Sequence, residues 1–226
     1  MGCVSVSSDH LVVAIDGPAG SGKSTTARSV AKALDCAYLD TGALYRAMTW
    51  WMLDQGIDIS DGDVIASRSA EPVITISTSP EAVEVHVDGA DVSEAIREPV
   101  VAEAVSAVSR VPAVRTRLVQ IQREVIASGS IVVEGRDIGT VVAPDAGVKI
   151  FLTASPLARA QRRNKDYGQA HDEVAATMEA LERRDLVDST RDVSPLAKAD
   201  DAVEVDTSDL TLDQVIAAVL SIVASR

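Results

Sequence analysis

Apolar runs alternate along the chain with stretches in which apolar residues recur at helical spacing. Leu11–Ile15 is a continuous apolar run, which is typical of a strand buried on both faces of a parallel sheet. A glycine-rich turn follows, and Ser24–Leu34 then has the pattern of a helix. The same order recurs in the strand pattern Ala37–Leu39 and the helical pattern of about Ala43–Leu53. This alternation predicts an α/β core.

Later segments continue this order toward the C-terminus. Ile131–Val133, Val148–Leu152 and Ala202–Val205 have the composition of buried strands, and Leu212–Val223 has helical spacing. The predicted fold class is therefore α/β, with a doubly wound parallel sheet.

One stretch between these core segments departs from the pattern. Val73–Ser77 and Val83–Val87 alternate apolar and polar residues, which is typical of antiparallel strands with one buried face. Helical patterns follow at about Val100–Val108 and Ala113–Ala127. We interpret residues 60–115 as a lobe with a small antiparallel sheet that is inserted into the core.

The rest of the chain is then divided as follows. Residues 11–59 and 116–226 form the predicted core, and residues 1–10 form a disordered lead-in without the features of a secretory signal. The sequence has no apolar run of about 18 residues, so no membrane partner is expected. Cys3 and Cys36 form no CxxC pair, which favours a reducing, cytoplasmic location.

The net charge of the protein limits the classes of ligand that it is expected to bind. The formal net charge is −13, and nonspecific nucleic-acid binding needs a basic surface, so no nucleic-acid partner is expected. Small anionic substrates remain compatible if the cations are gathered in one place. Of the 21 basic residues, 16 are Arg and 5 are Lys, and the rigid fork of Arg suits bidentate recognition of phosphate.

The first candidate site follows the first strand. Residues 17–24 match GxxxxGK[ST], in which backbone N–H groups and the start of the next helix cradle phosphate. Lys23 is expected to reach the β- and γ-phosphates, and the Ser24 hydroxyl to coordinate Mg²⁺. The alternative is a glycine-rich turn with an accidental Lys-Ser pair. The predicted donor-binding residues are Gly17, Pro18, Ala19, Gly20, Ser21, Gly22, Lys23, Ser24 and Thr25.

A second candidate site opens the helix after the second strand. Asp40, Thr41, Tyr45 and Arg46 fall within one and a half turns, so an anion at the helix start would meet Arg46. The alternative interpretation is ordinary N-capping by Asp40 or Thr41, with Tyr45 in the core.

A third candidate site follows the strand Ile131–Val133. Here Arg136 lies between Glu134 and Asp137 at the carboxyl end of a strand, where open α/β sheets bind ligands. The alternative is a simple pair between Arg136 and Asp137 at a turn.

Arginines also gather near the C-terminus. Arg159, Arg162 and Arg163 share a helical face, and a second helix, about Asp172–Asp185, carries Arg183 and Arg184. We interpret the region, centred on about 160–172, as a lid that brings arginines to a transferring phosphoryl group and excludes water. The alternative is a solvated hairpin with surface salt bridges.

These motifs resemble the bacterial cytidylate kinases, a family of P-loop nucleoside monophosphate kinases. They are IDGPAGSGKST at 15–25, LDTGALYR at 39–46, EGRDIGTVV at 134–142 and VKIFLTAS at 148–155. The inserted lobe and RTRLVQIQR at 115–123 are similar to the long bacterial form. Some members carry Ser at Thr41, and others carry Asp at Glu134.

The resemblance implies a Mg²⁺-dependent kinase that uses ATP to phosphorylate CMP and dCMP. Asp137 would accept a hydrogen bond from the exocyclic amine of cytosine, and Glu134 is a candidate to assist Mg²⁺ through water. The residues implied to act at the transferring phosphate are Lys23, Arg159, Arg162, Arg184 and Arg191. The candidate acceptor-binding residues are Asp40, Thr41, Tyr45, Arg46, Arg115, Arg136, Asp137, Asp188 and Arg191.

Other functions stay open at this point. The acceptor is UMP or another small molecule in one alternative, and in another the chain is a P-loop switch that binds GTP. The sequence has no NKxD-like motif for guanine, which disfavours the switch. By the resemblance, a monomer is expected.

Overall fold

The structure, a computed structural model, describes residues 10–167 and 173–226. The strands are β1 Val12–Asp16, β2 Ala37–Asp40, β3 Ile74–Ile76, β4 Val85–Val87, β5 Ala90–Asp91, β6 Ile131–Gly135, β7 Val148–Thr153 and β8 Val203–Asp206. The α-helices are α1 Lys23–Ala33, α2 Thr41–Asp54, α3 Gly62–Arg68, α4 Pro99–Ser109, α5 Pro112–Ile126, α6 Pro156–Tyr167, α7 Val174–Thr190 and α8 Leu212–Ala224. Shorter helical turns cover Ala95–Arg97 and Ile138–Val142.

The central sheet contains the parallel strands in the order β2-β6-β1-β7-β8. Its apolar residues alternate between two buried faces, because successive strand side chains point in opposite directions. Val13 and Ile15 pack with α1 and α8, whereas Ala14 packs with α5 and the turn Ile138–Val142. Helices on both faces make the sheet doubly wound, as the continuous apolar runs predict.

The strands β3, β4 and β5 form the predicted antiparallel sheet. The strands are shorter than the sequence pattern indicates, although Ser77 N still donates to the Glu84 carbonyl (2.8 Å) and Asp88 N to the Val73 carbonyl (2.9 Å). The Thr78 carbonyl accepts a hydrogen bond from Tyr38 N (2.9 Å), which lies on the edge strand β2 of the central sheet. Val85 and Val87 face inward and share one apolar cluster with α2, α4 and α5.

The helices differ from their predicted bounds mainly at two places. The second helix, α2, begins at Thr41 rather than about Ala43, and α7 runs to Thr190 rather than to about Asp185. Residues 1–9 of the predicted lead-in (1–10) and residues 168–172 of the predicted lid (about 160–172) lie outside the described residues. In the part of the chain that the structure covers, no helix has the length and apolar character needed to cross a bilayer.

Candidate active site

The carboxyl ends of β1, β2 and β6 bring the three candidate sites to one edge of the sheet. The phosphate-binding loop leaves β1 after Asp16, Asp40 ends β2, and Glu134 and Gly135 end β6. The strand β1 is also where the sheet order reverses, with β6 on one side and β7 on the other. Ligands of open α/β sheets bind at such a point.

The phosphate-binding loop takes a conformation that requires its first glycine. Gly17 has φ 147°, and a Cβ added to it would lie 2.1 Å from the Leu152 carbonyl oxygen. The loop ends at Gly22, where none of the described side chains caps α1, so the first N–H groups of the helix face the loop. The Lys23 ammonium donates to the Pro18 carbonyl (2.7 Å), and burial, together with Arg136, lowers the pKa of Lys23.

A buried carboxylate stands beside the hydroxyl that was predicted to bind metal. Ser24 Oγ donates to Glu134 Oε2 (2.9 Å), and the Tyr38 hydroxyl donates to Glu134 Oε1 (2.5 Å). Burial and the neighbouring Asp40 raise the pKa of Glu134. A carboxylate and a hydroxyl are the hard oxygen donors that Mg²⁺ prefers, so these residues fit the ion.

The residues at the start of α2 serve the helix and the site together. Asp40 caps α2 by accepting from Ala43 N (3.0 Å) and pairs with Arg46 at 2.8 Å. Burial opposes the charged form, but Arg46 holds the pKa of Asp40 below its ordinary value. Thr41 Oγ1 donates to the Glu134 carbonyl (2.7 Å), which ties α2 to the end of β6. The capping interpretation is thus right for Asp40, and Arg46 still lies at the helix start.

The third motif does not form the simple pair that the alternative interpretation expected. Arg136 donates to Asp188 on α7 and to the Gly17 carbonyl, both at 3.0 Å. Asp137 instead pairs with the buried Arg115 (2.6 Å) and lies 3.7 Å from Arg191. Two of the predicted acceptor residues, Arg115 and Arg191, therefore lie at the Asp137 carboxylate, whereas Arg136 pairs with a different one.

Tyr45 packs beside Arg115 and Asp137. The Arg115 guanidinium stacks over the Tyr45 ring, with its central carbon 5.0 Å from the ring centroid. Burial raises the pKa of Tyr45 to about 12, so the hydroxyl keeps its proton at neutral pH.

The helical hairpin of α6 and α7 contacts the phosphate-binding loop directly. Arg159 donates to Asp185 and to the Ala19 carbonyl, while Asp185 also accepts from Ala19 N at 3.2 Å. Arg162 donates to Thr207 Oγ1 (2.8 Å), beside Gly22. Only Arg183, which pairs with Glu179 on the exposed face at 3.6 Å, matches the surface alternative among these residues.

Arg184 lies where the cations converge. Burial, followed by the charge of Arg136, lowers the pKa of Arg184 to about 10, and Arg163 and Arg46 act in the same direction. Its buried Nε has no hydrogen-bond partner among the described residues. A group of guanidinium ions that repel one another at a buried place is suited to hold a polyanion.

Tyr38 and Asp16, two polar residues near the carboxyl ends of the central strands, were not identified from the sequence. Tyr38 holds Glu134, and the buried carboxylate of Asp16 accepts from Ile138 N and Gly139 N at 2.9 and 2.8 Å. Both are polar residues at or near the carboxyl end of a buried strand, and this position was the available signal.

The fold and the site together define a P-loop kinase. Solved structures with the same fold include a gluconokinase from Sinorhizobium meliloti, 16% identical with a TM-score of 0.51 over 95% of this chain and 92% of that one. An uncharacterised protein from Eubacterium ventriosum is 13% identical with a TM-score of 0.52 over 96% and 100%. These similarities concern the fold alone.

Sequence comparison gives the family. The family model Cytidylate kinase matches residues 13–225. The cytidylate kinase of Streptomyces avermitilis is 56% identical over 96% of this chain and 94% of its own length. That of Rhodococcus opacus is 52% identical over 98% of each. The chain belongs to the cytidylate kinase family.

Proposed function

We propose that the protein transfers the γ-phosphoryl group of ATP to CMP and dCMP, which yields ADP with CDP or dCDP. The family and the names of its relatives support this function. The observation that carries it in this chain is the buried convergence of Arg184 with Arg136 and Arg46, which lowers the pKa of Arg184. Asp40 and Asp188 pair with Arg46 and Arg136, and two phosphate-bearing substrates that meet end to end would supply further negative charge to this cluster.

The donor end is assigned to the loop 17–25. Its backbone N–H groups and the start of α1 would hold the phosphates of ATP, with Lys23 at the β- and γ-phosphates. Ser24 would hold Mg²⁺ directly, and Glu134 would hold it through water. When bound, the ion neutralises charge that develops on the phosphate oxygens.

The acceptor end is assigned to α2, α5 and the loop after β6. Arg46 and Arg136 would bind the acceptor phosphate, and Thr41 and Tyr45 would line its site. Asp137 would accept from the 4-amino group of cytosine, because a carboxylate has lone pairs beyond those that Arg115 uses. The 4-oxo group of uracil offers no donor and would repel it.

The hairpin of α6 and α7 is assigned to the transferring group. Arg159, Arg162, Arg184 and Arg191 would stabilise charge that spreads over the equatorial oxygens, which lowers the barrier more than it tightens ground-state binding. Asp185 and Asp188 hold Arg159 and Arg136 by ion pairs. Since these carboxylates fix their arginines in advance, little reorganisation is needed at the moment of transfer.

Two further assignments complete the proposal. Residues 60–115 form the acceptor-side lobe, whose apolar core is continuous with α2, the helix that carries Tyr45 and Arg46. By resemblance to the family, we also propose a monomer as the active unit. The cytoplasmic location stays a prediction from the sequence.

The test is ADP release in the presence of a panel of nucleoside monophosphates. CMP and dCMP should react far faster than UMP, with AMP and GMP near background and with loss of turnover in Lys23→Ala. Equal turnover with all monophosphates, or GTP hydrolysis that needs no acceptor, would favour the alternatives.

The base assignment is tested by Asp137→Asn. The amide keeps an acceptor for Arg115 but presents a donor that suits the 4-oxo group of uracil. The ratio of kcat/KM for CMP to that for UMP should fall on the order of 10- to 100-fold, which corresponds to about 1–3 kcal/mol of discrimination. ATP affinity, measured by calorimetry, should stay within about threefold. A parallel loss of both would show that Asp137 does not read the base.

A further inference from the structure

Asp16 is a buried carboxylate to which the proposed mechanism gives no task. It is the last residue of β1, with 4% of its surface exposed, and the phosphate-binding loop begins at the next residue. Its neighbours in the sheet register are Gly135 of β6 and Phe151 of β7. Asp16 therefore lies between the donor loop and the loop that carries Arg136 and Asp137.

Both carboxylate oxygens of Asp16 are used by the acceptor loop. Oδ1 accepts from Ile138 N at 2.9 Å and Oδ2 accepts from Gly139 N at 2.8 Å. These N–H groups open the helical turn Ile138–Val142, which comes directly after Arg136 and Asp137. A two-point contact fixes the orientation of the turn as well as its position.

A second contact runs in the opposite direction between the same loops. Arg136 Nη1 donates to the carbonyl oxygen of Gly17, the residue after Asp16, at 3.0 Å. The space around the turn is also restricted, since a Cβ on Gly139 would lie 3.2 Å from the Lys149 side chain and 3.5 Å from Asp16 Oδ2. The two loops are thus joined by three hydrogen bonds within a few residues.

The two backbone hydrogen bonds to Asp16 offset part of the cost of burying its carboxylate. Burial raises the pKa of Asp16 to about 6, the two backbone N–H groups lower it, Asp137 raises it and Lys23 lowers it. The aliphatic part of the Lys149 side chain lies next to Gly139, and its ammonium pairs with Asp201 at 2.8 Å. No direct ion pair of Asp16 is found in the described part of the chain, so its main compensation is the pair of backbone bonds.

We propose that Asp16 is a positioning residue that sets the acceptor loop against the phosphate-binding loop and so fixes the distance over which the phosphoryl group moves. In this arrangement Asp16 acts through the two backbone N–H groups that it holds and not by binding a nucleotide. Since a small misplacement of reacting groups has a large effect on rate, loss of this contact should impair turnover more than donor binding. This inference rests on the proposed function.

The test compares Asp16→Asn with wild type. The amide retains one acceptor but turns an NH₂ group toward a backbone N–H. The kcat/KM for CMP should fall on the order of 10- to 100-fold, with a lower kcat, while the calorimetric Kd for ATP stays within about twofold. The control is Asp58→Asn, because the exposed Asp58 also accepts from a backbone N–H group, that of Ser60, lies outside the proposed acceptor lobe and should leave kinetics unchanged.

The pH profile gives a readout that needs no variant. With both nucleotides saturating, kcat of wild type should fall as the pH is lowered from about 7.5 to about 5, because a protonated Asp16 loses one acceptor. Asp16→Asn should show a shallower acid limb, set by protonation of the nucleotide phosphates alone. A flat wild-type profile would overturn the inference. This measurement can be made even if the Asp16→Asn variant fails to fold.

Other outcomes are equally decisive. If Asp16→Asn keeps kcat/KM within twofold of wild type, or loses ATP affinity as strongly as turnover, Asp16 has no specific positioning role. If wild type itself does not phosphorylate CMP, the proposed function fails instead.

Discussion

Arg115 is almost fully buried, and its guanidinium pairs with Asp137 at 2.6 Å. Removing one member of such a pair leaves a buried charge and typically destabilises the fold by about 3–5 kcal/mol. Asp137 therefore has a structural task besides the base recognition proposed for it. For this reason the Asn substitution, which keeps the shape of the side chain and an acceptor for Arg115, is a better probe than truncation.

The hydrogen bond between Tyr38 and Glu134 gives a prediction at the scale of a single atom. Tyr38→Phe removes the donor to Glu134 Oε1 and leaves Ser24 as the remaining side-chain donor to this carboxylate that the structure describes. The loss of a hydrogen bond to a buried charged group should lower the free energy of unfolding by about 1–3 kcal/mol. Calorimetry should also show severalfold weaker binding of Mg²⁺-ATP, since second-shell partners orient metal ligands.

The matched control for Tyr38→Phe is Tyr45→Phe. Tyr45→Phe also removes one buried hydroxyl but keeps the ring on which Arg115 stacks, and it lies at the proposed acceptor end, so Mg²⁺-ATP binding should stay unchanged. Equal effects of both substitutions on Mg²⁺-ATP binding would contradict the role of Tyr38.

Residues within contiguous motifs were predictable, and their partners were not. The phosphate-binding loop was found because its glycines, Lys23 and Ser24 are close in sequence and have a fixed spacing. The pair between Arg136 and Asp188 joins residues 52 positions apart, and only the packing of α7 brings them together. Tyr38 and Asp16 are single polar residues in strands, with no periodic pattern to mark them.

At the scale of elements, the hairpin of α6 and α7 is attached to the phosphate-binding loop through Asp185. This carboxylate accepts from Ala19 N and pairs with Arg159, which itself donates to the Ala19 carbonyl. The contact makes the position of the loop depend on the hairpin, although the two are far apart in sequence.

Asp185→Asn should separate this attachment from acceptor binding. The amide can still accept from Ala19 N, but it loses the charge that holds Arg159, so kcat should fall on the order of 10-fold. The KM for CMP should change by less than about threefold, because Arg46, Arg136 and Asp137, which are proposed to hold CMP, lie on α2 and the loop after β6. The control Glu179→Gln breaks the exposed pair with Arg183 on the same helix and should behave like wild type. A raised KM with unchanged kcat would contradict this assignment.

Element types were predicted better than their ends. Strand and helix order followed from periodicity, which depends on burial and not on detailed contacts. The end of α7 was wrong because its last turn is held by tertiary contacts, those of Asp188 with Arg136 and of Arg191 with Asp137. The hairpin strands β3 and β4 were too long in the prediction, although Ser77 at the predicted end of the first strand still bonds the Glu84 carbonyl.

At the scale of the whole molecule, an acidic protein concentrates its cations at one edge of its sheet. The net charge of −13 disfavours large polyanions, while Lys23, Arg46, Arg136 and Arg184 lie close enough to affect one another's pKa or that of a shared neighbour. The apolar cluster that α2 shares with residues 60–115 connects the lobe to this edge. Charge and packing therefore favour two small phosphate-bearing substrates in one place.

The most direct test of this account is calorimetric titration with adenosine and cytidine joined at their 5′ oxygens through five phosphates. If two nucleotides meet end to end, one molecule should bind per chain, at least about 100-fold more tightly than ATP or CMP alone, since the second contact becomes intramolecular. The diadenosine compound should bind less tightly, because the proposed acceptor end is assigned to cytosine and adenine is a larger base. Binding of the mixed compound no tighter than that of ATP, or two molecules per chain, would contradict the account.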